Sequence, residues 1–515
     1  MVDARDLKSL EVHLVRVRVP PRAPKFMNKY FVTIGLEVHA ELNTASKMWC
    51  GCANIPLESK ANTNVCPVCM AHPGTLPVAN AEALKKMVSI GLAVRTDEEK
   101  ENGTYKNVSN FIEFDRKNYF YPDIPKAYQI TQYQYPVING GTLKVNIDDK
   151  EYVISLTRIH LEEDTAKSTH DKGDYTLIDF NRAGVPLMEL VTDAHTYDDV
   201  ETAARVSGEF GRELRRTLRT LRASDADMEK GQMRVEANIS VTKDKSTYGT
   251  KCEVKNLNSF KSVEDAIRYE VERHIDLLEN GGQVIQETRG WDEQKRSTFS
   301  QRKKENAHDY RYFPDPDLPK LYTYELFDIP HIMSEMPTIP EERRRKWVEI
   351  GLSNKQVSQL LDDIELGDYY LSVINDLPHN ADKIASANYI LNNVYKTWPS
   401  KEQLVETIFL VNKQELSSRG AKDLLTFISN NHDACQGKTS KQIAIENNLI
   451  QKSDPTALAD IVDTVIADNH TQWAEYKGVS GVGNEKLLMY FIGRCMQAAK
   501  GSGNPTLFKE ILVTK

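Results

Sequence analysis

Residues 31–42, FVTIGLEVHAEL, alternate apolar and polar side chains over the full length of a strand. Val32, Ile34, Leu36, Val38, Ala40 and Leu42 fall on one side, and Thr33, Gly35, Glu37, His39 and Glu41 on the other. Successive residues of a β-strand point to opposite faces, so this segment demands a sheet with one face on a core and the other polar. MRVEANISV (233–241) repeats the arrangement, setting Arg234, Glu236, Asn238 and Ser240 against Met233, Val235, Ala237, Ile239 and Val241. Such two-faced strands belong to antiparallel sheets.

The predicted fold class is therefore α+β, an antiparallel-sheet cradle followed by all-α helical and tail domains. Residues 1–26 are rich in Arg and Pro but lack a secretory apolar core, and read as a disordered extension. The cradle is placed at 27–318, a helical domain at 319–432 and a small helical tail at 433–515. A helix is predicted within SVEDAIRYEVERHIDLLENGG, opening at Ser262 with Asp265 in a capping-box-like start, with Ile267, Val271, Ile275 and Leu278 as its apolar stripe. Another is predicted to open at Pro340, with Glu341 and Glu342 in its first turn. With 515 residues and a net charge of −8, the chain can build several cores but cannot be a uniformly basic nucleic-acid glove. No run of ~20 apolar residues suits a membrane span.

Four of the seven cysteines crowd into CGCANIPLESKANTNVCPVC, as C-x-C and then C-x-x-C. Cys50, Cys52, Cys66 and Cys69 make two knuckles that can close a tetrahedral Zn²⁺ shell, leaving no open position for substrate. The predicted role is structural. Glu37 and His39 share a strand face ~7 Å apart, the spacing of i and i+2 side chains. RIHLEEDTAKSTHD adds His160, Glu162, Glu163, Asp164, His170 and Asp171, and DMEKGQMRVEAN adds Glu229, Arg234, Glu236 and Asn238. Convergent carboxylates suit Mg²⁺ shared with substrate phosphates. Lys117, Lys251, Lys255 and Arg289 are candidate phosphate contacts. FDRKNYFYPDIPKAYQITQY interleaves Arg116, Lys117 and Lys126 with Tyr119, Phe120, Tyr121, Tyr128 and Tyr133. Such rings can stack on RNA or a nucleotide, but packing is expected for most of them. The chain has no G-x-x-x-x-G-K-[ST] loop, no kinase motif set and no G-x-S-x-G elbow, and shows no nucleophile for releasing ammonia from an amide.

Long stretches are similar to one family. IGLEVHAELNT, NTNVCPVCMAHPGTLPVAN, FDRKNYFYPDIPKAYQITQ, TRIHLEEDTAKSTH, NRAGVPLMELVTD, KCEVKNLNSF, QETRGWDE, DYRYFPDPDLP and AAKGSGNP resemble the B subunit of the tRNA-dependent amidotransferase, GatB. The resemblance implies a carbon–nitrogen ligase with glutamine as amide donor. Such an enzyme uses ATP to phosphorylate the side-chain carboxylate of Glu-tRNA(Gln) or Asp-tRNA(Asn), which ammonia then converts to the amide. It implies an amidase (A) subunit that makes the ammonia, a small C subunit, and mischarged tRNA bound in part by the tail. Its cofactors are ATP, Mg²⁺ and a structural Zn²⁺, and its setting is cytoplasmic, with a mitochondrial or plastid matrix as the alternative. Carried over residue by residue, it implies Glu37, His39 and Glu163 at the Mg²⁺, with Lys117 and Glu236 also catalytic. Arg234, Lys251, Lys255 and Asn256 are then the cofactor-binding candidates. Strand alternation disagrees at one point, favouring Glu162 over Glu163 on the face of His160, and Glu163 is kept because a strand end can bulge or turn. Two other readings are a non-catalytic tRNA-positioning subunit and a self-sufficient ligase using free ammonia.

Overall fold

The structure, a computed structural model, describes residues 30–515 apart from 58–59, 149, 171–172, 304–309, 394, 452–454, 479–481 and 500–502. The expected N-terminal extension and Asp171 lie outside the described residues. Two compact units divide at 336/337.

The first unit is built on a large twisted sheet. Its strands are β1 (Phe31–Glu41), β4 (Lys150–Glu163), β5 (Pro186–Thr192), β6 (Met233–Thr242), β7 (Cys252–Leu257), β8 (Glu287–Asp292) and β9 (Ser297–Lys303). They run in the order β9-β8-β7-β6-β1-β5-β4, so β1 is central, with β5 and β6 antiparallel on either side. The alternation in β1 holds: Val32, Ile34, Leu36, Val38 and Ala40 are buried. Helices Val200–Thr220 (α1) and Phe260–Glu279 (α2) contribute Phe210, Leu214, Val263 and Ile267 to the same core, which also takes Val235, Ala237 and Ile239 from β6. Two short strands, β2 (Asp115–Asn118) and β3 (Tyr128–Thr131), pair with each other, and β10 (Phe313–Pro314) pairs with β2.

Two expectations are corrected. One neighbouring pair, β7 and β8, is parallel, because α2 carries the chain back to the starting edge as a crossover. Helix α2 also opens three residues early: Ser259 is its N-cap, its hydroxyl accepting from the Ser262 N–H at 3.0 Å. Ser262 Oγ instead donates to Glu293 at 2.6 Å.

The second unit, 337–515, is helical, and its first helix starts at Pro340 as expected. One apolar cluster gathers Trp347, Leu360, Tyr370, Leu424 and Ile443, and another gathers Leu458, Val462, Phe491 and Phe508. Among the described residues, no helix is long and apolar enough to cross a membrane.

Candidate active site

Sheet register brings the polar faces of four strands into rungs. His160 of β4 lies opposite Glu189 of β5, Glu189 opposite His39 of β1, and His39 opposite Arg234 of β6. The next rung sets Glu37 opposite Glu236. Directly opposed residues on antiparallel strands share a face, so these side chains must converge. His39 Nε2 is the hub: it lies 3.4 Å from Glu189, 3.7 Å from Glu37 and 3.7 Å from Glu162. His160 Nε2 approaches Glu189 at 3.4 Å, and Lys117 Nζ approaches Glu162 at 4.0 Å. Glu236 is gripped by Lys255 Nζ at 2.6 Å.

Crowding of acids in a half-buried face sets the protonation. Burial, then Glu189 and Glu236, push Glu37 up to about 7. Burial alone would lower the His39 imidazole, but bonding to Glu189 and the charges of Glu189 and Glu162 outweigh it and raise it to about 9. Burial likewise opposes the Lys117 ammonium, and Glu162 and Glu189 hold it above its ordinary value. Groups that cling to their protons mark a face with an excess of negative charge, the condition a divalent cation relieves. The donor sets fit one: ligand atoms of Glu37, His39 and Glu189 lie within 4.8 Å of one another, as do those of His160, Glu162 and Glu189. The buried Nδ1 atoms of both histidines have no hydrogen-bond partner among the described residues.

The expectation that Glu163 stands beside Glu37 and His39 is corrected. Glu162 takes that place, since Glu162 and His160 share one face of β4 and Glu163 points the other way. Glu163 accepts from Lys126 Nζ at 2.7 Å and from the Ile130 N–H at 2.9 Å. Arg234 reaches Asp164 at 3.5 Å. Lys251 lines a separate cavity of about 270 Å³ farther along the same face, with Gly35, Asn238 and Ser240. Asn256 is exposed at φ 64°, where the β6–β7 register shifts. Arg289 is held at 2.6 Å by Glu287 and at 3.3 Å by the fully buried Glu270. The aromatic segment divides: Tyr119 and Tyr128 are half-buried, Tyr128 against the main core, whereas Phe120, Tyr121 and Tyr133 are exposed. Glu189 is a site residue that sequence reasoning misses, because its strand (PLMELVT) is too apolar to announce it.

Cys50, Cys52, Cys66 and Cys69 come together, their Sγ atoms all within 4.8 Å of one another. Tetrahedral Zn–S bonds of ~2.3 Å set sulfurs ~3.8 Å apart, inside that limit, so the set fits a closed structural site. Cys69 Sγ accepts from the Cys50 thiol and from the Cys66 N–H at 3.1 Å, which hold it down at about 4. Lys47, which carries no sequence signature, is buried 3.8 Å from Cys69 Sγ and tied to the Asn64 and Phe180 carbonyls. Its charge offsets the excess negative charge of four thiolates on one zinc. Cys50 and Cys69 border a cavity of about 300 Å³ that Lys126 and Glu163 also line.

A largely antiparallel cradle whose polar face gathers carboxylates, imidazoles and lysines has the groups that acid–base or metal-assisted chemistry uses. A family model described as the GatB/GatE catalytic domain matches residues 32–327, and one described as the GatB domain matches 379–515. The chain belongs to this family. It is similar to the B subunit of the aspartyl/glutamyl-tRNA(Asn/Gln) amidotransferase of Pelodictyon phaeoclathratiforme, at 40% identity over 95% of this chain and 99% of the relative. The corresponding protein of Moorella thermoacetica is 38% identical over 94% and 99%, and that of Crocosphaera subtropica 36% over 94% and 97%.

Proposed function

We propose that the chain is the B subunit of a tRNA-dependent amidotransferase, and that its cradle (27–318) uses ATP to activate the side-chain carboxylate of Glu-tRNA(Gln) or Asp-tRNA(Asn) for amidation. The observation that supports this best is the His39 hub, ringed by Glu37, Glu162 and Glu189 with Lys117 at its edge. A carboxylate is a poor acyl donor until an oxygen is made a leaving group, and phosphoryl transfer to that oxygen is mostly positioning and charge neutralisation. Glu37, His39 and Glu189 would hold a Mg²⁺ ion, which would supply that charge neutralisation. Glu162, and His160 acting through Glu189, orient the hub from β4, two strands away. Lys117 stands where its ammonium meets either a phosphate or the substrate carboxylate, and Lys255 and Arg234 flank the rung as further phosphate contacts. Lys251 and Asn256, farther out, suit the rest of the nucleotide.

With no glutaminase nucleophile in the sequence, the ammonia comes from an amidase-type A subunit, with a small C subunit completing the complex. The helical domain (319–432) links the cradle to a tail (433–515) that holds tRNA. The four cysteines bind zinc that fixes the loops beside β1, and the site of action is cytoplasmic or an organelle matrix. The test is ADP formation by the reconstituted complex. It should require mischarged tRNA and yield Gln-tRNA or Asn-tRNA; ATP turnover indifferent to mischarged tRNA defeats the proposal.

A further inference from the structure

Cys252 opens β7 opposite Ile239, a core residue of β6, so its side chain lies on the face of the sheet away from the acid cluster. Glu270 and His274 of α2 stand one turn apart on one helix face, and that face is turned onto the sheet. All three residues are fully buried, with their ligand atoms within 4.8 Å of one another. His274 Nε2 lies 3.3 Å from Glu270, the edge length of a tetrahedron whose metal–nitrogen and metal–oxygen bonds are ~2.0 Å. A second observation concerns the imidazole. Neither Nδ1 nor Nε2 of His274 makes a hydrogen bond among the described residues. Buried polar atoms are normally paired, so ring nitrogens left unpaired beside a thiol and a carboxylate point to a ligand that accepts a lone pair. The surroundings are equally specific. Arg273 holds Glu270 at 2.7 Å, Arg289 approaches it at 3.3 Å, and Thr298 Oγ1 donates to the same carboxylate. Ligating carboxylates are commonly fixed in this way. Glu287 pairs with Arg289 at 2.6 Å, so two guanidiniums are matched by two carboxylates and no surplus positive charge opposes a cation. Arg273 also lines a cavity of about 550 Å³, with Glu272 and Asp276. Those acids draw a cation in, and rotation of Arg273 uncovers Glu270 from that side.

We infer that Cys252, Glu270 and His274 bind a divalent transition metal of the zinc class, which pins α2 to β7 behind the acid cluster. The site stands independently of the proposed reaction. A thiolate and an imidazole select such an ion over Mg²⁺, which prefers an all-oxygen shell. Burial, then Glu270, push the Cys252 thiol up to about 12, so it stays protonated until the ion displaces its proton. The ion and the thiolate together add one positive charge to a fully buried place. With only three side-chain donors as well, this site binds more weakly than the four-thiolate knuckle. Chelator during purification therefore removes this ion and leaves the knuckle filled.

The test uses the full chain, purified in chelator, dialysed, and titrated with Co²⁺ in excess Mg²⁺ while knuckle zinc is counted by elemental analysis. The His39 hub offers no sulfur, so a thiolate-to-cobalt charge-transfer band reports on cysteine ligation alone. The expected result is such a band, saturating at about one Co²⁺ per chain with the zinc retained, and a melting temperature raised by about 3 °C or more. Cys252→Ala should lose both the band and the shift. His274→Gln should keep the band at saturation but bind Co²⁺ at least about tenfold more weakly. Absence of the band in the wild type overturns the site, as does equal affinity in His274→Gln. A band that survives in Cys252→Ala also overturns it, and zinc release alongside would place the cobalt in the knuckle. Should Cys252→Ala fail to fold, the affinity of His274→Gln decides.

Discussion

Glu37 and His39 are two residues apart on one strand, and both hold their protons longer than free side chains do. Glu37 moves from 4.5 to about 7, and His39 from 6.5 to about 9. For each, the folded state binds more protons than the unfolded state between those values, so stability falls as pH rises through the window. The Glu37 contribution is present below about pH 4.5 and lost by about 7; the His39 contribution is present below about 6.5 and lost by about 9. The groups facing them are Glu162, Glu189 and Glu236, with Lys255 the opposing cation near Glu37. In chelator, the wild-type melting temperature should therefore drop relative to Glu37→Gln as pH rises from about 5 to about 7.5, the span across which Glu37 loses its proton. Mg²⁺ should remove that drop by supplying the missing charge. A difference between the two proteins that is flat with pH in chelator contradicts the assigned protonation. Glu37 and His39 are legible in the sequence because β1 alternates without interruption. Glu189 is not, since a single acid in PLMELVT acquires meaning only from the strand paired with it.

Elements are easier to read than their joints. The two-faced strands and the helix at Pro340 follow from periodicity and capping chemistry. The start of α2 is ambiguous in sequence because Ser259 and Ser262 both precede the apolar stripe, and only the hydrogen bond chooses between them. Glu270 and His274 of that helix look like its polar face, yet both are fully buried. Arg273 binds Glu270 at 2.7 Å and Arg289 approaches it at 3.3 Å; the second partner comes from a distant strand that local pattern cannot reveal. Glu162 and Glu163 show the reverse: alternation alone picks out the one that faces His39. The cysteine knuckle is an element that the proposed zinc would hold together. Cys52→Ser should purify with less than one zinc per chain and lower the first unfolding transition by about 5 °C or more, on the scale set by structural zinc sites. Turnover per folded complex should change less than about threefold, because a closed structural shell takes no part in the reaction. Wild-type protein without zinc by elemental analysis contradicts the assignment.

At the scale of the whole molecule, the chain is half of a chemistry. On the proposed reading its cradle supplies the acids and lysines that activate a carboxylate, while the sequence shows no recognisable motif for freeing ammonia from glutamine. The purified chain alone should release no glutamate from glutamine, and should do so only after an A-type subunit is added. Glutaminase activity from the single chain contradicts that division of labour. The central claim is that the β1 rung performs activation while tRNA is held elsewhere, and Glu37→Gln tests it most directly. The substitution keeps size and hydrogen bonding but removes one ligand charge, and loss of such charge stabilisation commonly costs ~10²-fold or more in rate. The measurement is a pair on the reconstituted complex: affinity for mischarged tRNA, and the rate of ATP-dependent activation once that tRNA is bound. The account predicts unchanged affinity, because phosphate contacts spread over other surfaces dominate it, with activation reduced ~10²-fold or more. Activation at the wild-type rate, or lost tRNA affinity with a normal rate per bound complex, contradicts it.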